Sequence, residues 1–119
     1  MNKILVEVSV GELLDKITIL EIKKKKIKDE NNLKFINNEY KILKAELNKN
    51  IKSDEKLEKF FQSLKEINSK LWVIEDDKRL CEKNSDFGKN FIQLSRNVYL
   101  NNDKRAKIKS DINKFISKI

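Results

Sequence analysis

The sequence predicts an all-α fold: an elongated antiparallel bundle of four or five helices behind a short N-terminal strand or arm. Three observations carry that expectation. The 119 residues include no proline and only two glycines, so almost nothing interrupts a helix. Lys, Glu, Leu and Ile are abundant throughout, and apolar residues recur at spacings of three and four over most of the chain. The length suits one domain, taken as residues 1–119.

The first nine residues break that rhythm. In KILVEV (3–8), Ile4, Val6 and Val8 share one face of an extended segment. A lone strand leaves backbone groups unpaired, so the segment needs a partner: its own copy in a homodimer, or the helices it lies along. Ser9 then opens S-V-G-E, the capping-box spacing in which Ser9 and Glu12 satisfy each other's backbone donors. A first helix is expected over 10–28, where the closing KKKKIK sets cations at the negative end of the helix dipole.

A second helix, 33–48, carries Leu33, Ile36, Tyr40, Leu43 and Leu47, and its short connection implies an antiparallel hairpin. Ser53 or Asp54 caps a third, 54–83, in which Leu57, Leu64 and Leu71 interleave with Phe60, Ile67 and Ile74 as a heptad-like seam. Such a helix is roughly 45 Å long. Asp86 caps a fourth, 87–100, on the stripe Phe87, Phe91, Leu94 and Val98. Asn101-Asn102-Asp103 either interrupts it or begins a fifth, 103–118, with Ile108, Ile112, Phe115 and Ile116.

Composition also excludes. There is no histidine, so imidazole metal sites and histidine triads are out. The single cysteine, Cys81, allows no intramolecular disulfide and fits a reducing compartment. No apolar run approaches a membrane span, and the N-terminus lacks the pattern of a signal peptide; a cytoplasmic protein is expected. Net charge is +8, yet only three of the 27 basic residues are Arg (Arg79, Arg96 and Arg105). The lysines are dispersed among acidic residues, with no recognition motif or aromatic stacking platform, which argues against a nucleic-acid partner.

The informative residues are polar ones on apolar stripes. Glu21 falls in the middle of the stripe formed by Val10, Leu14 and Ile17. On the third helix Asn68, Glu75, Arg79 and Glu82 project within about 40° of the core direction. Up-down-up topology puts the C-terminal ends of the first and third helices together, so Glu21 is expected to meet Arg79 or another basic group there. Arg96 lies on a different face from Phe87 and Phe91. Arg105 joins the apolar stripe only if the fourth helix runs straight on, and then lies far from Glu21. The cluster reads either as a buried network that fixes helix register, as residues left in solvent by drift of the helix angles, or as a pocket in which Arg and Lys hold an anion, with Trp72 as a wall.

The segments VSVGELLDKITILEIK, LWVIEDDKR and DFGKNFIQLSRNVYLNNDKRAKIKSDIN resemble the signature blocks of an uncharacterised bacterial family, domain-of-unknown-function family 6165. The resemblance spans the chain except for about 30–65. It implies no activity or cofactor, but it implies that Asp15, Lys16, Glu21, Glu75, Asp76, Arg79, Arg96, Tyr99, Asn102, Asp103 and Arg105 belong to family motifs. The resulting expectation is a binding or accessory protein whose pocket holds an anionic metabolite (a sugar phosphate or nucleotide) through Lys16, Glu21, Glu75, Arg79, Arg96, Tyr99 and Arg105, with no metal. The alternatives are an enzyme, either a Mg-dependent helical phosphohydrolase using Glu12-x-x-Asp15 and Glu75-Asp76-Asp77 or a chorismate-mutase-like fold, a nucleic-acid binder, and a structural homodimer joined through the N-terminal strand or the helix seam. Spacings fit neither enzyme pattern, so the reading leans away from catalysis.

Overall fold

The computed structural model describes residues 2–118. They form four helices, α1 (Val10–Lys26), α2 (Glu30–Asn50), α3 (Glu55–Lys83) and α4 (Lys89–Ile116). No helix among the described residues is long and apolar enough to cross a membrane. The radius of gyration is 16.4 Å, with extents of 48 × 35 × 26 Å. A compact chain of this length would have about 13.5 Å, so the bundle is elongated.

Side-chain caps set three of the starts. Ser9 Oγ accepts from Glu12 N (3.1 Å) at α1. Asp29 Oδ2 accepts from Asn32 N (3.2 Å) at α2, which starts that helix at Glu30, three residues before its first apolar position. Asp54 Oδ1 accepts from Lys56 N (2.7 Å) and Leu57 N (3.2 Å) at α3. At α4 the cap is Gly88, without a side-chain bond; Asp86 Oδ1 accepts from Gly88 N (3.3 Å) instead, so the helix begins at Lys89. Before that turn α3 ends in a Schellman motif, with Asp86 N on Cys81 O (2.8 Å) and Ser85 N on Glu82 O (3.1 Å). Ser85 holds the left-handed position usually given to glycine, at φ 53°.

Two expectations are corrected. Residues 2–9 form no strand: they belong to no regular element and are exposed, with Ile4, Leu5 and Val6 at 86, 97 and 74%. An edge of one segment has no ladder to join within an all-helical chain. The expected break at Asn101-Asn102-Asp103 is absent, and α4 is one continuous helix. Asparagine and aspartate cost only a few tenths of a kcal/mol each in a helix, less than the packing of α4's apolar stripe returns. Asn101 bonds back to Asn97 O (2.8 Å) inside the helix rather than turning it.

α1 is the central element, packed against α2, α3 and α4, while α3 and α4 pair along their length and α2 packs on α1. Of its 17 residues, Gly11, Leu14, Asp15, Ile17, Thr18, Leu20 and Ile22 are buried, whereas α4 buries only Ile112. The core joins Leu14 and Ile17 to Leu47, Leu57, Phe61, Leu64 and Ile112. The Leu57–Ile67 half of the α3 seam is therefore occupied inside one chain and is not a dimer face. At the start of α1 the backbones touch: a Cβ on Gly11 would sit 2.5 Å from Lys109 O, and Gly11 N donates to Asn113 Oδ1 at 2.8 Å.

Candidate functional site

A helix packed against three neighbours must satisfy each polar group it buries. On α1 the buried charge is Asp15, 1% exposed. Its carboxylate takes the guanidinium fork of Arg105 from α4, with Nε on Oδ1 at 2.9 Å and Nη2 on Oδ2. Asn68 Nδ2 from α3 donates to Asp15 Oδ1 and to Thr18 Oγ1, both at 2.8 Å. Thr18 Oγ1 in turn donates to Asp15 O at 2.7 Å. Lys109 Nζ stands 3.8 Å from Asp15 Oδ2 and 2.6 Å from Glu12 Oε2. Three helices are thus tied at one carboxylate, and no buried side-chain N or O among the described residues lacks a partner.

Burial by itself pushes the Asp15 carboxyl up. The donors on Arg105 and Asn68, with the charges of Arg105 and Lys109, outweigh it and hold the group below its ordinary value of 3.8. The bond to Asp15 likewise raises Arg105, against the opposing effect of its burial.

Beside this network lies an open cleft of about 230 Å³. Ile19 and Ile22 of α1 and Leu71 of α3 give it an apolar floor, and Trp72 lines it too. Asn68, Glu75, Arg79 and Arg105 supply its polar groups. Glu75 and Arg79 are one helical turn apart on α3 and follow Trp72 by three and seven residues, so all three ride one face. Arg105's side chain is 28% exposed, its fork fixed by Asp15. Arg79 is 75% exposed and pairs, among the described residues, with Asp76 Oδ1 alone, at 3.1 Å.

Of the residues singled out in the sequence, Glu75, Arg79 and Arg105 therefore share one cleft, next to Trp72. Glu21 meets a basic group, but that group is Lys65 rather than Arg79. It accepts from Tyr40 Oη of α2 (3.1 Å) and Lys65 Nζ of α3 (2.9 Å), because its side chain points into the gap between those helices. Burial, then the Glu21 charge, raise the Tyr40 hydroxyl above its ordinary value of 10.0. Lys16, Arg96 and Tyr99 are exposed and outside the cleft. Nine residues separate Arg96 from Arg105, which sets them on opposite sides of α4.

Sequence reasoning missed Asp15 as the hub and Thr18 and Lys109 as its partners. The available signal was the spread of Leu13, Leu14, Ile17, Ile19, Leu20 and Ile22 around most of the circumference of α1, which marks a helix with neighbours on several sides, where a carboxylate such as Asp15 needs cations. A larger groove, about 320 Å³, runs between α2 and α3. Its polar residues include Lys44 and Lys52 alongside Asp54 and Glu58, so it favours neither charge. Among the described residues no three carboxylate or thiol groups gather as metal ligands, and the Glu12/Asp15 pair of the phosphohydrolase alternative is already bridged by Lys109.

Comparison with curated proteins and with solved structures returns no match. A family model does match, over residues 4–118, and it is described as a family of unknown function, DUF6165. That span takes in all four helices, the cleft, the Asp15 network and most of the N-terminal arm, and the chain belongs to the DUF6165 family.

Proposed function

We propose that the protein is a small binding protein whose cleft between α1, α3 and α4 takes a metabolite with a flat ring and an anionic group, the nucleotide class. The observation that carries this reading is the gathering of Trp72, Glu75, Arg79 and Arg105 around one apolar-floored cleft. An indole face offers stacking area for a ring. Arg105 is held in place before any ligand arrives, and a group already fixed loses little entropy on binding. Arg79, in an exposed ion pair worth little, is free to close on an anion, with Glu75 one turn away to orient it. The cleft volume lies below the roughly 300–1,000 Å³ of drug-sized pockets, so it seats a ring and leaves a phosphate at the rim. A sugar phosphate lacks the ring and is the weaker fit.

The test is a thermal-shift series with AMP, UMP, glucose 1-phosphate and inorganic phosphate, with and without magnesium. A hundredfold excess over Kd adds about 2.7 kcal/mol to the folded state. Nucleotides are expected to raise Tm, and Arg79→Leu and Trp72→Ala are expected to abolish the shift. No shift with any of the four at millimolar concentration would end the reading.

A further inference from the structure

The outer face of α4 carries exposed residues that the cleft does not use. Ile92, Arg96, Tyr99, Asp103 and Ala106 follow one another at spacings of four, three, four and three, the rhythm of a helix-pairing seam. All five are exposed, Ile92 at 57% and Tyr99 at 52%, and Leu100 flanks them at 42%. Neither Arg96 nor Asp103 has an ion-pair partner among the described residues.

The seam is complementary to its own reverse. With Tyr99 opposite Tyr99 of a second copy, Ile92 faces Ala106, large against small, and Arg96 faces Asp103. A two-fold axis makes each contact twice, so two Arg–Asp pairs flank a tyrosine centre. A parallel pairing would set Arg96 on Arg96 and Asp103 on Asp103, and like charges in register select against it. We propose that this face docks a second copy of the chain as an antiparallel α4–α4 homodimer centred on Tyr99. The seam is only about 21 Å long, so the dimer belongs to the small, concentration-dependent class. Arg105 is turned away from this face, and the dimer does not depend on the ligand-binding reading.

Sedimentation velocity over a hundredfold concentration range, from low micromolar upward, tests it. The wild type is expected to show a monomer–dimer equilibrium. Arg96→Glu sets a carboxylate against Asp103 of the second copy and is expected to weaken association about tenfold or more. Adding Asp103→Arg to Arg96→Glu is expected to restore it. All these positions are exposed, and circular dichroism confirms that each variant is folded. Tyr99→Cys is expected to form a disulfide-linked dimer under mild oxidation, against a silent background from Cys81, which is 5% exposed. A wild type that stays monomeric, a dimer indifferent to Arg96→Glu, or a folded charge-swapped variant that fails to reassociate overturns the proposal.

Discussion

Asp15 and Glu21 are two carboxylates on one helix, about 9 Å apart along its axis, and they are handled differently. Asp15 is sealed at 1% exposure and meets a guanidinium fork, an amide and a nearby ammonium. Glu21 keeps 20% of its side chain in solvent and meets one lysine and one tyrosine. α1 supplies the same chemistry at both sites, and the neighbours decide its cost. α3 and α4 close over Asp15, whereas α2 leans away from α3 and leaves Glu21 at the margin of a groove. Removing a partner from the first site strands a charge; removing one from the second exposes it to water.

Breaking the sealed site gives the largest expected effect. Arg105→Leu leaves Asp15 ionised and buried, with Lys109 too distant to replace the fork, and is expected to cost about 3–5 kcal/mol in urea unfolding at neutral pH. Its pH dependence sharpens the contrast. In the wild type the depressed Asp15 stabilises the fold above its ordinary value of 3.8, and that contribution is lost as pH falls below it. In Arg105→Leu burial is left in command, the Asp15 value rises, and the variant is expected to gain stability as pH drops from 7 to 5. An unchanged slope between those pH values would show that Asp15 does not depend on Arg105.

Gly11→Ala probes the backbone contact one turn before Asp15. The added Cβ has to push Lys109 O away from 2.5 Å, an overpacking cost of about 1–3 kcal/mol that outweighs alanine's better helix propensity. Calorimetry is expected to show a lower Tm, while Gly88→Ala, with nothing closer than Asp86 Oδ1 at 3.7 Å, leaves it near the wild type. At the open site Lys65→Met removes the Glu21 ion pair, yet Glu21 keeps Tyr40 and solvent. The expected loss is about 0.5–1 kcal/mol, and a cost equal to that of Arg105→Leu would erase the distinction between the two sites. The smallest effect has the opposite sign: Ser85→Gly relieves the left-handed serine at the α3–α4 turn and is expected to stabilise by about 0.5–1 kcal/mol.

Most of the helical scaffold was legible because Ser9 and Asp54 are strong caps and the apolar spacing is regular, whereas the unread Asp29 cap left the start of α2 three residues late. The misplaced features have a common cause. Ile4, Val6 and Val8 have a strand's pattern, but pattern cannot supply the second strand that a ladder requires. Asn101-Asn102-Asp103 reads as a turn, but local preference there is weaker than the tertiary packing of α4. For the site, one helical wheel at a time located Asn68 and Glu75 on α3's inward side, but Arg79 and Glu82, projected toward the core with them, are exposed. It could not show that α1 faces three neighbours at once, and so it favoured Glu21, conspicuous on a single stripe, over Asp15.

The bond from Gly11 to Asn113 joins positions 102 apart in sequence. Of the four helices the innermost is thus synthesised before the other three, and the one that completes its surroundings comes after the rest. On the ribosome, α1 emerges long before Arg105 and Lys109 exist to neutralise Asp15, and its apolar circumference has only α2 and then α3 to lean on. Closing this long loop late raises the contact order of an otherwise locally wired helical protein. Folding to the native core waits for nearly the whole chain, and a polypeptide truncated before Arg105 carries an unpaired carboxylate at its centre.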